Sequence, residues 1–151
     1  MGRIDLKPYP NSSLFSALVA FVYQRKHAEK NSIVDTGSEC SSITEDTANS
    51  LGISLSGSSK SPVMGVNAIK NAPTVDELEV LILNDAKFVK LKNVQILEPI
   101  QSIHFKKVLG RKVPDSVARA ALPDILGLDF LQNLKAVLVI SYPSNEFYIK
   151  W

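Results

Sequence analysis

Ser32-Ile33-Val34-Asp35-Thr36-Gly37-Ser38 sets a carboxylate directly after a short apolar run and directly before a glycine. Ile33 and Val34 are β-branched and suit the end of a buried strand. Asp35 therefore falls where a strand leaves the core, and Gly37 lets the backbone turn sharply there. An Asp in such a place has a plain structural use, because its side chain can accept from backbone two residues on and start a turn. At ordinary residue frequencies an Asp-Thr-Gly triplet arises by chance in roughly a few per cent of chains of this length. The triplet alone leaves turn and chemistry both open.

Upstream, Leu14 to Tyr23 is rich in β-branched and aromatic residues and reads as the first core strand. Residues 1–13, with Pro8, Pro10, Asn11, Ser12 and Ser13, read as an irregular N-terminal arm, and residues 14–151 as the domain proper. Gln24 to Asn31 is polar without an apolar period and reads as a hairpin connection returning into Ser32–Asp35.

Downstream, Thr44 suits an N-cap, Glu45 and Asp46 a first helical turn, and Gly52 a helix end, so a short helix is expected over Thr44 to Leu51. The Ser/Gly-rich stretch Ser54 to Pro62 leads into Val63-Met64-Gly65-Val66-Asn67-Ala68-Ile69, a hairpin with Gly65 and Asn67 at its turn. Val75–Leu83 and Phe88–Leu97 form a second hairpin around Asn84-Asp85. Glu98 to Leu122, broken by Pro99, Gly110 and Pro114 and with a small helix expected after Asp115, reads as an excursion from the sheet. The chain closes with a helix over Ile125–Leu134, a strand over Ala136–Ile140, a turn at Tyr142-Pro143-Ser144-Asn145 and a strand over Phe147–Trp151. The fold class is mostly β, without an internal repeat.

With 151 residues, 45% hydrophobic and 21% charged, the chain suits one globular domain with a real core. The net charge of +2 is spread along the sequence. Its densest basic stretch, Lys106, Lys107, Arg111 and Lys112, has only Phe105 beside it as an aromatic, so no nucleic-acid or membrane partner is expected. The single cysteine, Cys40, cannot make an internal disulfide, which points to the cytoplasm. Leu14–Tyr23 is too short for a membrane helix. His27 and His104 are isolated, so no metal or cofactor is expected, and nothing around Cys40 has the pattern of a Cys–His nucleophile. Asp124 reads as a turn or helix start, and Asp129 as a helix-surface residue.

Ser32 to Ser38 resembles the active-site signature of aspartic peptidases, in which apolar residues precede Asp-Thr-Gly and a small residue follows. Asp124-Ile125-Leu126-Gly127-Leu128-Asp129-Phe130-Leu131 is similar to the apolar-apolar-Gly element of the retropepsin-like group, which opens the C-terminal helix and packs behind the active-site loop. Val63 to Ile69 takes the place of that group's flap, and Thr47 to Ile53 resembles the helix and turn of its microbial and ubiquitin-shuttle members. Two features depart from the pattern. The flap has Gly65 but no second glycine at its tip, and Glu98–Leu122 is longer than in the viral enzymes.

The resemblance implies a closed β-barrel, half of an acid protease, with one C-terminal helix and a flap hairpin, active as a twofold dimer. It implies aspartic endopeptidase activity in which two facing carboxylates share a proton, one activating water and the other polarising the scissile carbonyl. Pepsin-type chains carry two such motifs; this chain has one Asp-Thr-Gly and no Asp-Ser-Gly, so the second Asp35 has to come from a homodimeric partner. By the same resemblance Thr36 bonds across the twofold axis, Gly37 admits the substrate backbone and Ser38 supports the carboxylate. Ile125, Leu126 and Gly127 pack behind the loop, and Val63, Met64, Gly65, Val66 and Asn67 close over an extended peptide or protein substrate. Phe147–Trp151 reads equally as a strand of an intersubunit sheet or as ordinary core. Two other readings stand beside the peptidase: a non-catalytic dimer of the same fold that binds peptides or partner proteins, and an assembly subunit in which Asp35 merely starts a turn.

Overall fold

A computed structural model describes residues 1–10, 12–55, 60–65, 68–97 and 123–151. Strand β3 (Phe15–Tyr23) buries Ala17, Val19 and Phe21 on one face and pairs antiparallel with β4 (Lys26–Val34), from Ser16↔Ile33 to Tyr23↔Lys26. The loop between them is two residues, with Gln24 at φ +54 as a tight hairpin requires. The polar run read as a connection is therefore mostly strand. Lys26, His27, Glu29 and Asn31 face solvent while Ala28, Ser32, Ile33 and Val34 are buried. An antiparallel strand with a solvated side needs no apolar run, which is why hydropathy did not mark it.

Beyond β4 the chain loops through Asp35 to Ser41 into β5 (Ser42–Thr44) and helix α1 (Glu45–Ser50). Thr44 caps α1, its hydroxyl accepting from the Thr47 N–H at 3.3 Å, and Gly52 ends the segment at φ +70. Strands β6 (Lys60–Gly65) and β7 (Ala68–Ile82) form the first expected hairpin. β7 and β8 (Lys87–Leu97) form the second, joined by Leu83 to Ala86. Near the Glu77↔Lys92 pair both strands shift their inside-outside alternation by one residue, from Val75 to Leu78 and from Leu91 to Val94. Asn93, at φ +53, accommodates the kink, a backbone region that Asn tolerates better than most residues. Residues 98–122, read as an excursion, lie outside the described residues.

The expected helix over Ile125–Leu134 divides in two. Ile125 and Leu126 are strand β9, and helix α2 runs from Leu128 to Leu134 with Gly127 as its N-cap. β9 lies between β4 and β5, parallel to the first (Ile33↔Ile125, Val34↔Leu126) and antiparallel to the second (Ser42↔Ile125). Its two residues are strand because both neighbours already exist, a condition outside their own sequence.

Within the larger sheet, β3, β4, β9, β5, β8 and β7 follow in order, and a further β7–β3 pairing closes them into a six-stranded barrel. Phe21, Val80, Leu91, Ile96, Leu126 and Phe130 are fully buried in its core. Strand β10 (Val137–Ser141), the turn and strand β11 (Glu146–Lys150) match the sequence reading within a residue. The first 13 residues are not simply irregular. Strand β1 (Arg3–Asp5) pairs with β11, strand β2 (Lys7–Pro8) pairs with β3, and Ile4 and Leu6 are buried. Ile4 and Leu6 alternate with charged residues as a strand does, ahead of Pro8 and Pro10. β1, β11 and β10 thus make a second, three-stranded sheet.

Candidate active site

Asp35 stands at the mouth of the barrel where β4 ends, partly exposed. Its main chain is held by the parallel ladder to β9. The Ile33 N–H donates to the Asp124 carbonyl at 2.9 Å and the Asp35 N–H to the Leu126 carbonyl at 3.0 Å. The Asp35 side chain closes the turn that its position suggested, Oδ1 accepting from the Gly37 N–H at 2.8 Å, while the Asp35 carbonyl accepts from the Ser38 N–H at 3.2 Å. A Cβ at Gly37 would stand 3.1 Å from Asp35 Oδ1, so a side chain there would crowd the carboxylate. Thr36 is exposed. The Ser38 hydroxyl donates to the Cys40 carbonyl at 2.7 Å, a bond within the loop.

Ile125 and Leu126 form β9 beside β4, and Gly127 leads from it into α2. The Leu128 N–H donates to the Ser38 carbonyl at 2.8 Å and the Asp129 N–H to the Glu39 carbonyl at 3.2 Å, so the loop sits on the first turn of α2. Gly127 is needed for the approach. A Cβ there would lie 2.8 Å from Ser38 O and from the Cys40 carbonyl carbon, both main chain and unable to step aside. Of the expected flap, Val63, Met64 and Gly65 lie in β6, with Met64↔Ile69 and Gly65↔Ala68 across the hairpin, whereas Val66 and Asn67 lie outside the described residues.

Three side chains that sequence reasoning undervalued hold the loop in place. Asp124 does not start a helix: it is 4% exposed, its Oδ1 accepts from the Thr44 N–H at 2.7 Å and its Oδ2 from the Thr47 hydroxyl at 2.9 Å. Burial pushes its carboxyl above the usual value, against the opposing pull of those hydrogen bonds and of Lys30. Asp129 is half-buried. Its Oδ1 accepts from the Ser41 hydroxyl at 2.6 Å and from the Phe130 N–H at 2.8 Å, while Oδ2 is buried with no hydrogen-bond partner among the described residues. Ser41, absent from the sequence reading, is fully buried and also accepts from the Gly127 N–H at 2.9 Å. A hint was available in the two acids flanking Ile-Leu-Gly, but their partners are about eighty residues away in sequence.

Cys40 is exposed, and partial desolvation of its thiol, followed by the charges of Asp129 and Glu39, raises its pKa. A thiol so held is a poor nucleophile at neutral pH. His27 is exposed on β4, and His104 lies outside the described residues. Among the described residues no three His, Cys, Asp or Glu side chains gather as a metal site requires, and no helix is long and apolar enough to cross a membrane.

Searches against protein-family models and against curated proteins found no match. Among solved structures, the chain is similar to a retropepsin-like aspartic protease from Rickettsia conorii, with a TM-score of 0.57 at 17% identity over 98% of this chain and 89% of that one. It is also similar to the EIAV protease complexed with the inhibitor HBY-793, with a TM-score of 0.52 at 19% identity over 89% of this chain and all of that one. The fold is therefore retropepsin-like, a closed six-stranded β-barrel.

Proposed function

We propose that this chain is one half of a homodimeric aspartic endopeptidase, with Asp35 as its catalytic carboxylate. The observation that carries the reading is the placement of Asp35 in a chain of this fold. A partly exposed carboxylate at the barrel mouth is held through its main chain by β9 and through its side chain by the Gly37 N–H. Peptide hydrolysis of this type needs two facing acids, and the sequence offers one such motif. A second copy related by a twofold axis supplies the other. One carboxylate then takes a proton from water as the water oxygen attacks the scissile carbonyl carbon, and the other protonates the carbonyl oxygen. The tetrahedral adduct collapses to acid and amine as a proton passes to the leaving nitrogen. Thr36 and Gly37 form the floor of the cleft in this reading, and Val63 to Asn67 its flap over an extended peptide or protein.

The test is incubation of the purified chain with a mixed peptide library from acidic to neutral pH, with and without a statine-type inhibitor, beside Asp35→Asn. Mass spectrometry should show cleavage that both the inhibitor and the substitution remove, with the circular dichroism of the variant unchanged. Peptide binding without cleavage at any pH would instead support a non-catalytic dimer of the same fold.

A further inference from the structure

β9 has two residues, and its place beside β4 sets where Asp35 leaves the barrel, because the Leu126 carbonyl takes the Asp35 N–H. Its two flanks are unequal. Toward β4 the ladder covers Ile33↔Ile125 and Val34↔Leu126, and the Ile33 N–H bonds the Asp124 carbonyl besides. Toward β5 only Ser42↔Ile125 is paired among the described residues. A strand this short has little ladder of its own, so side chains must secure it. One step back along the parallel ladder sets Asp124 beside Ser32, on the face where Val34 and Leu126 are buried. From there its carboxylate takes the Thr44 N–H, at the end of β5, and the Thr47 hydroxyl, in α1. The Thr44 hydroxyl donates in turn to the Thr47 hydroxyl at 3.1 Å, so the three side chains form one run of bonds. A single residue thus bonds β4 through its carbonyl and β5 and α1 through its carboxylate.

Deepening the peptidase reading, on which its kinetic part rests, we infer that Asp124 is a positioning residue for Asp35: its carboxylate, tied to β5 and α1, holds β9 in the register that presents the Asp35 carboxylate at the barrel mouth. The path is short. Asp124 is two residues from Leu126, and Leu126 bonds Asp35 directly. Asp124 is buried, so a peptide does not reach it, and its loss moves Asp35 without removing a group that substrate touches. A change of that kind misplaces the reacting carboxylate in the bound complex, which lowers kcat and leaves KM nearly as it was.

The experiment compares the full wild-type chain with Asp124→Ala, Asp124→Asn, Thr47→Val and a control, Ile82→Val, at a core residue at the far end of the β7–β8 ladder from β5. Steady-state kinetics are read beside amide hydrogen exchange by NMR. In Asp124→Ala the Ile33 and Asp35 amides should exchange roughly ten times faster than in the wild type, once the change in global stability is subtracted. Its kcat should fall on the order of ten- to a hundredfold, with KM within about twofold. Asp124→Asn keeps an acceptor for the Thr44 N–H and should recover most of both. Thr47→Val removes only the partner of Oδ2 and should shift both in the same sense by less; it decides the matter if Asp124→Ala does not fold. The control should lose stability with neither effect. Unchanged exchange at Ile33 and Asp35 in both Asp124→Ala and Thr47→Val overturns the positioning role. So does an unchanged kcat where the wild type is active, a loss confined to KM, or a loss that the control shares. Should the wild type cleave nothing, the peptidase reading falls, and exchange at these two amides alone upholds or overturns the role of Asp124.

Discussion

Gly127 and Asp124 lie within one short segment and act on the candidate site in different ways. Gly127 has φ −88, a backbone open to any residue, so its requirement is steric contact with Ser38 and Cys40 main chain. Gly127→Ala should cost about 1–3 kcal/mol, typical of overpacking against atoms that cannot move; a lowered urea midpoint would show it, and an unchanged midpoint would mean that the loop yields freely. Asp124 acts through charge. Its carboxyl is raised by burial, so the native state holds the proton to higher pH than the unfolded chain does. The associated stability is complete below the unfolded value of about 4 and is lost as pH rises through the folded value. Measured against Asp124→Asn, which does not titrate, the wild type should therefore lose relative stability between about pH 4 and pH 7. Urea midpoints at both pH values check the sign, and a wild type that gains on the variant as pH rises would refute it. Asp124→Ala should cost about 1–3 kcal/mol at either pH by stranding the buried Thr44 N–H.

At the scale of elements, α1 has six residues and depends on its cap and on the carboxylate beneath it. Thr44→Ala should lower stability by about 1 kcal/mol. Combined with Asp124→Ala the losses should not add, because both residues bond to Thr47; a double-mutant cycle of thermal unfolding gives the coupling. α1 was legible because Thr44, Glu45, Asp46 and Gly52 are local signals that act within one turn. β4 was not, because half of it is solvated and polar. Nor was the division of residues 125–134 into β9 and α2, since Ile125-Leu126 suits helix or strand equally and its neighbours β4 and β5 decide the matter.

For the whole molecule, a site assembled from two chains makes activity depend on concentration. If the homodimeric reading holds, specific peptidase activity should climb with enzyme concentration and level off where sedimentation shows the dimer complete. Constant specific activity across a range in which the chain is monomeric would exclude a shared site. The three-stranded sheet gives the ends of the chain one place, with the Gly2 N–H donating to the Trp151 carbonyl at 3.0 Å and the Trp151 N–H to the Gly2 carbonyl at 3.1 Å. That closure keeps β11 in the middle of its sheet, between β1 and β10.

From residue order alone came the mostly β class, the capped α1, both long hairpins, the C-terminal strands and the turn at Asp35. Each is written in signals spanning a few neighbours, namely periodicity, caps and turn residues, and these act before any distant contact forms. Tertiary structure alone decided that Ser41 and Asp129 would clasp the loop from behind, that Asp124 would be buried under α1, and that Gly127 would cross main chain at the closest approach. These contacts join residues some eighty positions apart. Short-range signals carry no information about such partners, which are specified only once the barrel has closed and set β9 between β4 and β5.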